Sequence, residues 1–122
     1  MKLNHLNLTV SNVSDTSTFF EKYFGFSCLD KKGDSVLNVM YGQDGFILTL
    51  MSEAFNKTGS QDYPAAFHLG FILPTAEAVT QLYQQLKADG ISLEKEPANI
   101  RNSFGFYFHY DRLMIEIGYY FK

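Results

Sequence analysis

From Leu3 to Val10 apolar and polar residues alternate, with Leu6, Leu8 and Val10 on one side and His5, Asn7 and Thr9 on the other. A period of two is that of a strand with one buried face. The period then changes: Val13, Thr16, Phe19, Phe20, Tyr23 and Phe24 recur at helical spacing. The polar run 11–15 offers several N-cap residues ahead of that helix, and Gly25 is placed to stop it. Three further strands are predicted at Phe26–Leu29, Ser35–Tyr41 and Phe46–Met51. Turn-forming residues at 31–34 and 42–45 separate them. The order is βαβββ.

Residues 52–64 are polar and aperiodic and read as a linker. The pattern then restarts. Ala66–Leu73 is a predicted strand carrying His68, and Pro74 and Thr75 cap a helix through Ala78, Val79, Leu82, Tyr83 and Leu86, closed by Gly90. Strands are predicted at Ile91–Glu94, Ser103–Tyr110 and Leu113–Tyr119, whereas 95–102, charged and interrupted by Pro97, reads as a loop or a distorted edge. The chain is thus expected to be one α+β domain of two tandem βαβββ modules, 1–51 and 65–122. The letters repeat as well as the pattern. His5-Leu6 and His68-Leu69 open the two modules, and Asp44-Gly45-Phe46-Ile47-Leu48-Thr49-Leu50 overlies Asp111-Arg112-Leu113-Met114-Ile115-Glu116-Ile117. In that register Thr49 occupies the place of Glu116.

Composition narrows the classes. With 122 residues, 46% of them apolar and 16% aromatic, a packed core needs no covalent staples. The net charge of −3 and the absence of any basic run argue against nucleic acid as a partner. A single cysteine, Cys28, excludes an internal disulfide and a cysteine-rich zinc site. No apolar stretch approaches the roughly 20 residues of a membrane span, and no signal peptide opens the chain, so no membrane role and a cytoplasmic location are expected.

Three polar residues then stand out in apolar strands. His5 and His68 occupy equivalent places in the two modules, and Glu116 interrupts Leu113-Met114-Ile115 and Ile117. A carboxylate in a core strand is costly unless it is paired or coordinates something. Singly, each residue is better read as an ordinary hydrogen-bonded or surface group. The coincidence of two histidines at repeat-related positions with one glutamate favours a divalent-metal site for Zn²⁺, Mn²⁺, Fe²⁺, Ni²⁺ or Co²⁺ with positions open to substrate. His109, at a strand end before a turn, reads as a surface residue. Phe104, Phe106 and Phe108 share one face of their strand, and Tyr107 and His109 the other.

The opening Leu3–Val10 followed by Thr18-Phe19-Phe20-Glu21-Lys22-Tyr23-Phe24-Gly25-Phe26, and the ending Ile115-Glu116-Ile117, resemble the glyoxalase, bleomycin-resistance and extradiol-dioxygenase (vicinal oxygen chelate) superfamily. The resemblance covers essentially the whole chain. It implies that the two modules form a cupped mixed sheet with helices on its outer face, that the protein is a homodimer, and that a metal chelates vicinal oxygens of a small substrate. The family's metal positions fall on His5, Thr49, His68 and Glu116, of which Thr49 departs from the glyoxalase I ligand set. Asn7 stands where relatives that modify fosfomycin carry a reactive-site threonine, so Asn7 and Thr49 are candidate substrate contacts. The resulting expectation is a metal-dependent lyase, isomerase or dioxygenase on a small oxygenated molecule, with Glu116 as ligand and catalytic base. The alternative is a metal-free or inert protein that sequesters a small molecule, as bleomycin-resistance proteins do.

Overall fold

The computed structural model describes residues 1–31, 36–55 and 62–121. The turn residues 32–34, the strand start expected at Ser35 and the linker residues 56–61 lie outside the described residues. The chain divides into two compact units, Met1–Gln61 and Asp62–Lys122.

The first unit runs β1 (His5–Val10), α1 (Val13–Phe24), β2 (Ser27–Lys31), β3 (Leu37–Tyr41) and β4 (Ile47–Ser52), followed by a short 3₁₀ turn at Glu53–Phe55. Local chemistry sets the limits of α1. The Asn12 side chain accepts from the Asp15 backbone N–H at 2.8 Å, and Gly25 (φ 69°) ends the helix in the left-handed region that glycine tolerates. The strands form one sheet in the order β1-β4-β3-β2, with β1 parallel to β4 and the other pairs antiparallel. Leu8, Val10, Met40, Leu48 and Leu50 are buried on the face covered by α1, together with Val13, Phe19 and Phe20 of that helix. Burial of each such Leu or Phe side chain stabilises by about 1.5–3 kcal/mol. His5, Asn7 and Thr9 alternate onto the other face, beside Ile47, Thr49 and Met51.

The second unit repeats this plan: β5 (His68–Ile72), α2 (Ala76–Ala88), β6 (Ala98–Ile100), β7 (Ser103–Tyr110) and β8 (Leu113–Tyr120), in the order β5-β8-β7-β6 with β5 parallel to β8. Thr75 caps α2 by accepting from the Ala78 backbone N–H at 3.1 Å. Val79, Tyr83 and Leu86 of the helix are buried, as are Phe106, Phe108, Leu113, Ile115 and Ile117 of the sheet face that it covers. The expected α+β architecture of two βαβββ units is therefore present.

One strand lies elsewhere than expected. Ile91–Glu94 is not a strand, because Ile91 is held to the end of α2 by its N–H to the Leu86 carbonyl at 3.0 Å. The third partner in the sheet is instead β6, inside the stretch read as a loop or distorted edge. Its three residues are all exposed and owe their conformation to pairing with β7, Ala98 opposite Gly105 and Ile100 opposite Ser103.

Strand register makes the internal repeat exact. His5 lies opposite Ile47, two residues before Thr49, and His68 lies opposite Met114, two residues before Glu116. Asn7 faces Thr49 as Gly70 faces Glu116.

Candidate metal centre

On the face of the second sheet away from α2, neighbouring strands set side chains in rows. One row is Gly70, Glu116 and Tyr107; the next in one direction is His68, Met114 and His109, and in the other Ile72, Gly118 and Gly105. Paired strand residues on one face have Cβ atoms about 4.5–5.5 Å apart, so each row is a set of touching neighbours. His68 reaches diagonally past Gly70 to Glu116. Its Nε2 lies 3.2 Å from Glu116 Oε1, and both side chains are only partly exposed, 34% and 19%.

The other ring nitrogen is occupied. His68 Nδ1 stands 2.9 Å from the Ala66 carbonyl oxygen, which can only accept, so Nδ1 carries a proton and donates. In neutral imidazole Nε2 then presents a lone pair, directly toward a carboxylate oxygen. Two acceptors at that distance call for a positive centre between them, either a second ring proton or a metal ion. An ion bound at about 2.0–2.2 Å to nitrogen and oxygen ligands sets adjacent donors about 3.0–3.4 Å apart, so the donor pair fits. A backbone carbonyl that fixes the distal ring nitrogen is also the usual support of a ligating histidine.

Tyr107 completes the cluster. Its ring lies edge to face with that of His68, centroids 5.5 Å apart, and its hydroxyl donates to Glu116. Partial desolvation, then the charge of Glu116 and that hydrogen bond, raise the phenol pKa above the ordinary 10.0. Beyond Tyr107 a concavity of about 500 Å³ is lined by Glu116, Tyr120, Ser103, Asn102 and Arg101.

Of the residues singled out in the sequence, His68 and Glu116 are brought together. His109 shares their face but is exposed and separated from His68 by Met114. His5, Asn7 and Thr49 lie on the first unit, where the His5 ring is exposed and its Nδ1 is 3.1 Å from Asn4 Oδ1. Among the described residues no three His, Cys, Asp or Glu side chains converge on one point. Tyr107 was assigned to the right face from its alternation but not to the site. The signal for it lay in the two-residue turn Asp111–Arg112, which sets Tyr110 opposite Leu113 and hence Tyr107 opposite Glu116.

Two tandem βαβββ units define a class of fold, and comparison with known proteins agrees. The chain belongs to the Glyoxalase/Bleomycin resistance protein/Dioxygenase superfamily, which it matches over residues 2–117. It is similar to a possible glyoxalase from Bacillus cereus, with 38% identity over 96% of this chain and 97% of that one and a TM-score of 0.81. A virulence protein of Salmonella typhimurium is 27% identical over 85% of this chain and 70% of its own length. The fold is shared with the fosfomycin resistance protein FosX of Listeria monocytogenes, with 20% identity, a TM-score of 0.71, and coverage of 95% and 88%. No helix among the described residues is long and apolar enough to cross a membrane.

Proposed function

We propose that the protein is a divalent-metal-dependent enzyme acting on a small oxygenated molecule, by lyase, isomerase or dioxygenase chemistry. The observation that carries this reading is the approach of His68 Nε2 to Glu116 Oε1 at 3.2 Å while Nδ1 is committed to the Ala66 carbonyl. His68 and Glu116 are two of the ligands, and His5 is the third. The ion, one of Zn, Mn, Fe, Ni or Co, would supply Lewis acidity at two vicinal oxygens of the substrate. Within the chain, the Ala66 carbonyl orients His68, and Tyr107 orients Glu116 and donates a proton-bearing group beside it. Glu116 is the residue that takes up a substrate proton. Asn7 and Thr49 contact the substrate from the first unit. The protein would act as a cytoplasmic homodimer, as members of the superfamily often form dimers.

The test is elemental analysis after reconstitution with each of the five metals. About one ion per chain is expected, lost in His68→Ala and Glu116→Ala, with a substrate panel then run on the ion retained. Protein that holds no ion under any of these conditions would sink the reading and favour a sequestering role.

A further inference from the structure

The concavity beside Glu116 has a polar far end that chelation of a metal does not use. Between the rows that line it, Gly118 and Gly105 pair with each other across β7 and β8, and Ala98 lies opposite Gly105. On one side stands the Glu116–Tyr107 row and on the other Tyr120 and Ser103, four residues further along their strands, about 13 Å at the rise of a strand. The concavity spans these two rows and is bordered by one cation, Arg101.

Arg101 is unusually placed. β6 and β7 are joined by the two-residue turn Arg101–Asn102, and Arg101 occupies its first position with φ 54°. That position favours glycine, since left-handed backbone costs an ordinary residue about 1–2 kcal/mol. A long charged side chain held there is strain of the kind that concentrates at binding sites. Among the described residues Arg101 forms no ion pair, and it lines the concavity together with Tyr107 and Tyr120. Tyr120, 53% exposed, borders the same space. The Asn102 amide, by contrast, is turned to the Phe121 carbonyl at 3.5 Å.

We propose that this concavity is a subsite for an oxyanion, bound by the Arg101 guanidinium with Tyr120 as neutral donor. The substrate is then an elongated small molecule with chelating oxygens at the Glu116 end and a carboxylate, phosphonate or phosphate at the Arg101 end. The identification of the oxyanion's carrier as the substrate rests on the metal-site reading above; the oxyanion site itself does not. Guanidinium suits such groups because its planar fork matches two oxygens at once.

The test is titration of the chelator-treated, desalted full-length protein with inorganic phosphate and, separately, with acetate, followed by NMR chemical shifts of the protein. Saturable binding of at least one anion is expected, and whichever binds more tightly identifies the class of oxyanion. Arg101→Gln should weaken that binding at least tenfold, and Arg101→Lys should recover part of it, while circular dichroism stays that of the native protein. Metal stoichiometry is measured on the same variants. No saturable binding of either anion, or binding that Arg101→Gln leaves unchanged, overturns the subsite. Arg101-dependent anion binding in protein that takes up no metal upholds the subsite and removes only the metal reading.

Discussion

Tyr107 and Glu116 are direct partners across the β7–β8 ladder, and the phenol of one is hydrogen-bonded to the carboxylate of the other. The pairing places a phenol of raised pKa against the residue proposed as both ligand and base. It also means that the charge of Glu116 favours the neutral phenol.

Replacing Glu116 by Gln should therefore bring the Tyr107 phenol back toward 10.0, its ordinary value, because the negative charge goes while an acceptor oxygen stays. The sign for stability follows. A phenol whose pKa is raised in the folded state favours folding below about pH 10. That contribution is lost as the pH rises through the folded-state value. Titration of ¹³Cζ-labelled tyrosine, with Tyr107→Phe to assign the signal, checks both; identical curves for wild type and Glu116→Gln would remove the proposed contact.

His5→Ala separates a two-ligand from a three-ligand centre. If His5 completes the set, its loss should weaken metal binding at least as much as loss of a supporting group does, about 10–100-fold. Competition with a metal-sensitive dye measures this. An affinity equal to that of the wild type would leave His68 and Glu116 as the protein's whole contribution.

Thr49→Glu asks whether the internal repeat is functional. Thr49 stands two residues beyond the partner of His5, as Glu116 stands two beyond the partner of His68. A carboxylate there should raise metal affinity by supplying a fourth donor. Unchanged or lowered affinity in the same dye competition would mean that position 49 does not face the ion.

Helices and the repeat were legible in the sequence because their signals are local. Asn12, Thr75 and Gly25 mark helix ends by chemistry acting within a few residues, and His5-Leu6 and His68-Leu69 open their modules with the same letters. β6 was not legible. Ala98, Asn99 and Ile100 carry no alternation, and only hydrogen bonding to β7 makes them a strand. The same holds for the site: His68 and Glu116 could be chosen from composition and repeat. The roles of Tyr107 and Arg101 depend on where two tight turns set the register of three strands. Asp111 is a residue type that takes left-handed turn positions, but Arg101, also left-handed, is not, so the letters gave no warning of its turn.

Gly105 and Gly70, on the same sheet, differ in what surrounds them. A Cβ on Gly105 would run into the Ile117 carbonyl oxygen and would come within 2.9 Å of Gly118 Cα, both backbone atoms of β8 that cannot move without opening the ladder. A Cβ on Gly70 would meet only Glu116 Oε1, at the ordinary distance of 3.8 Å. Gly105→Ala should thus lose stability on the scale of an overpacked core, about 1–3 kcal/mol or more. Gly70→Ala should be neutral or gain a few tenths through a less flexible unfolded chain. Urea denaturation of the two variants decides it. Equal midpoints would show that β7 can shift away from β8 at Gly105, and with it the register that holds Tyr107 against Glu116.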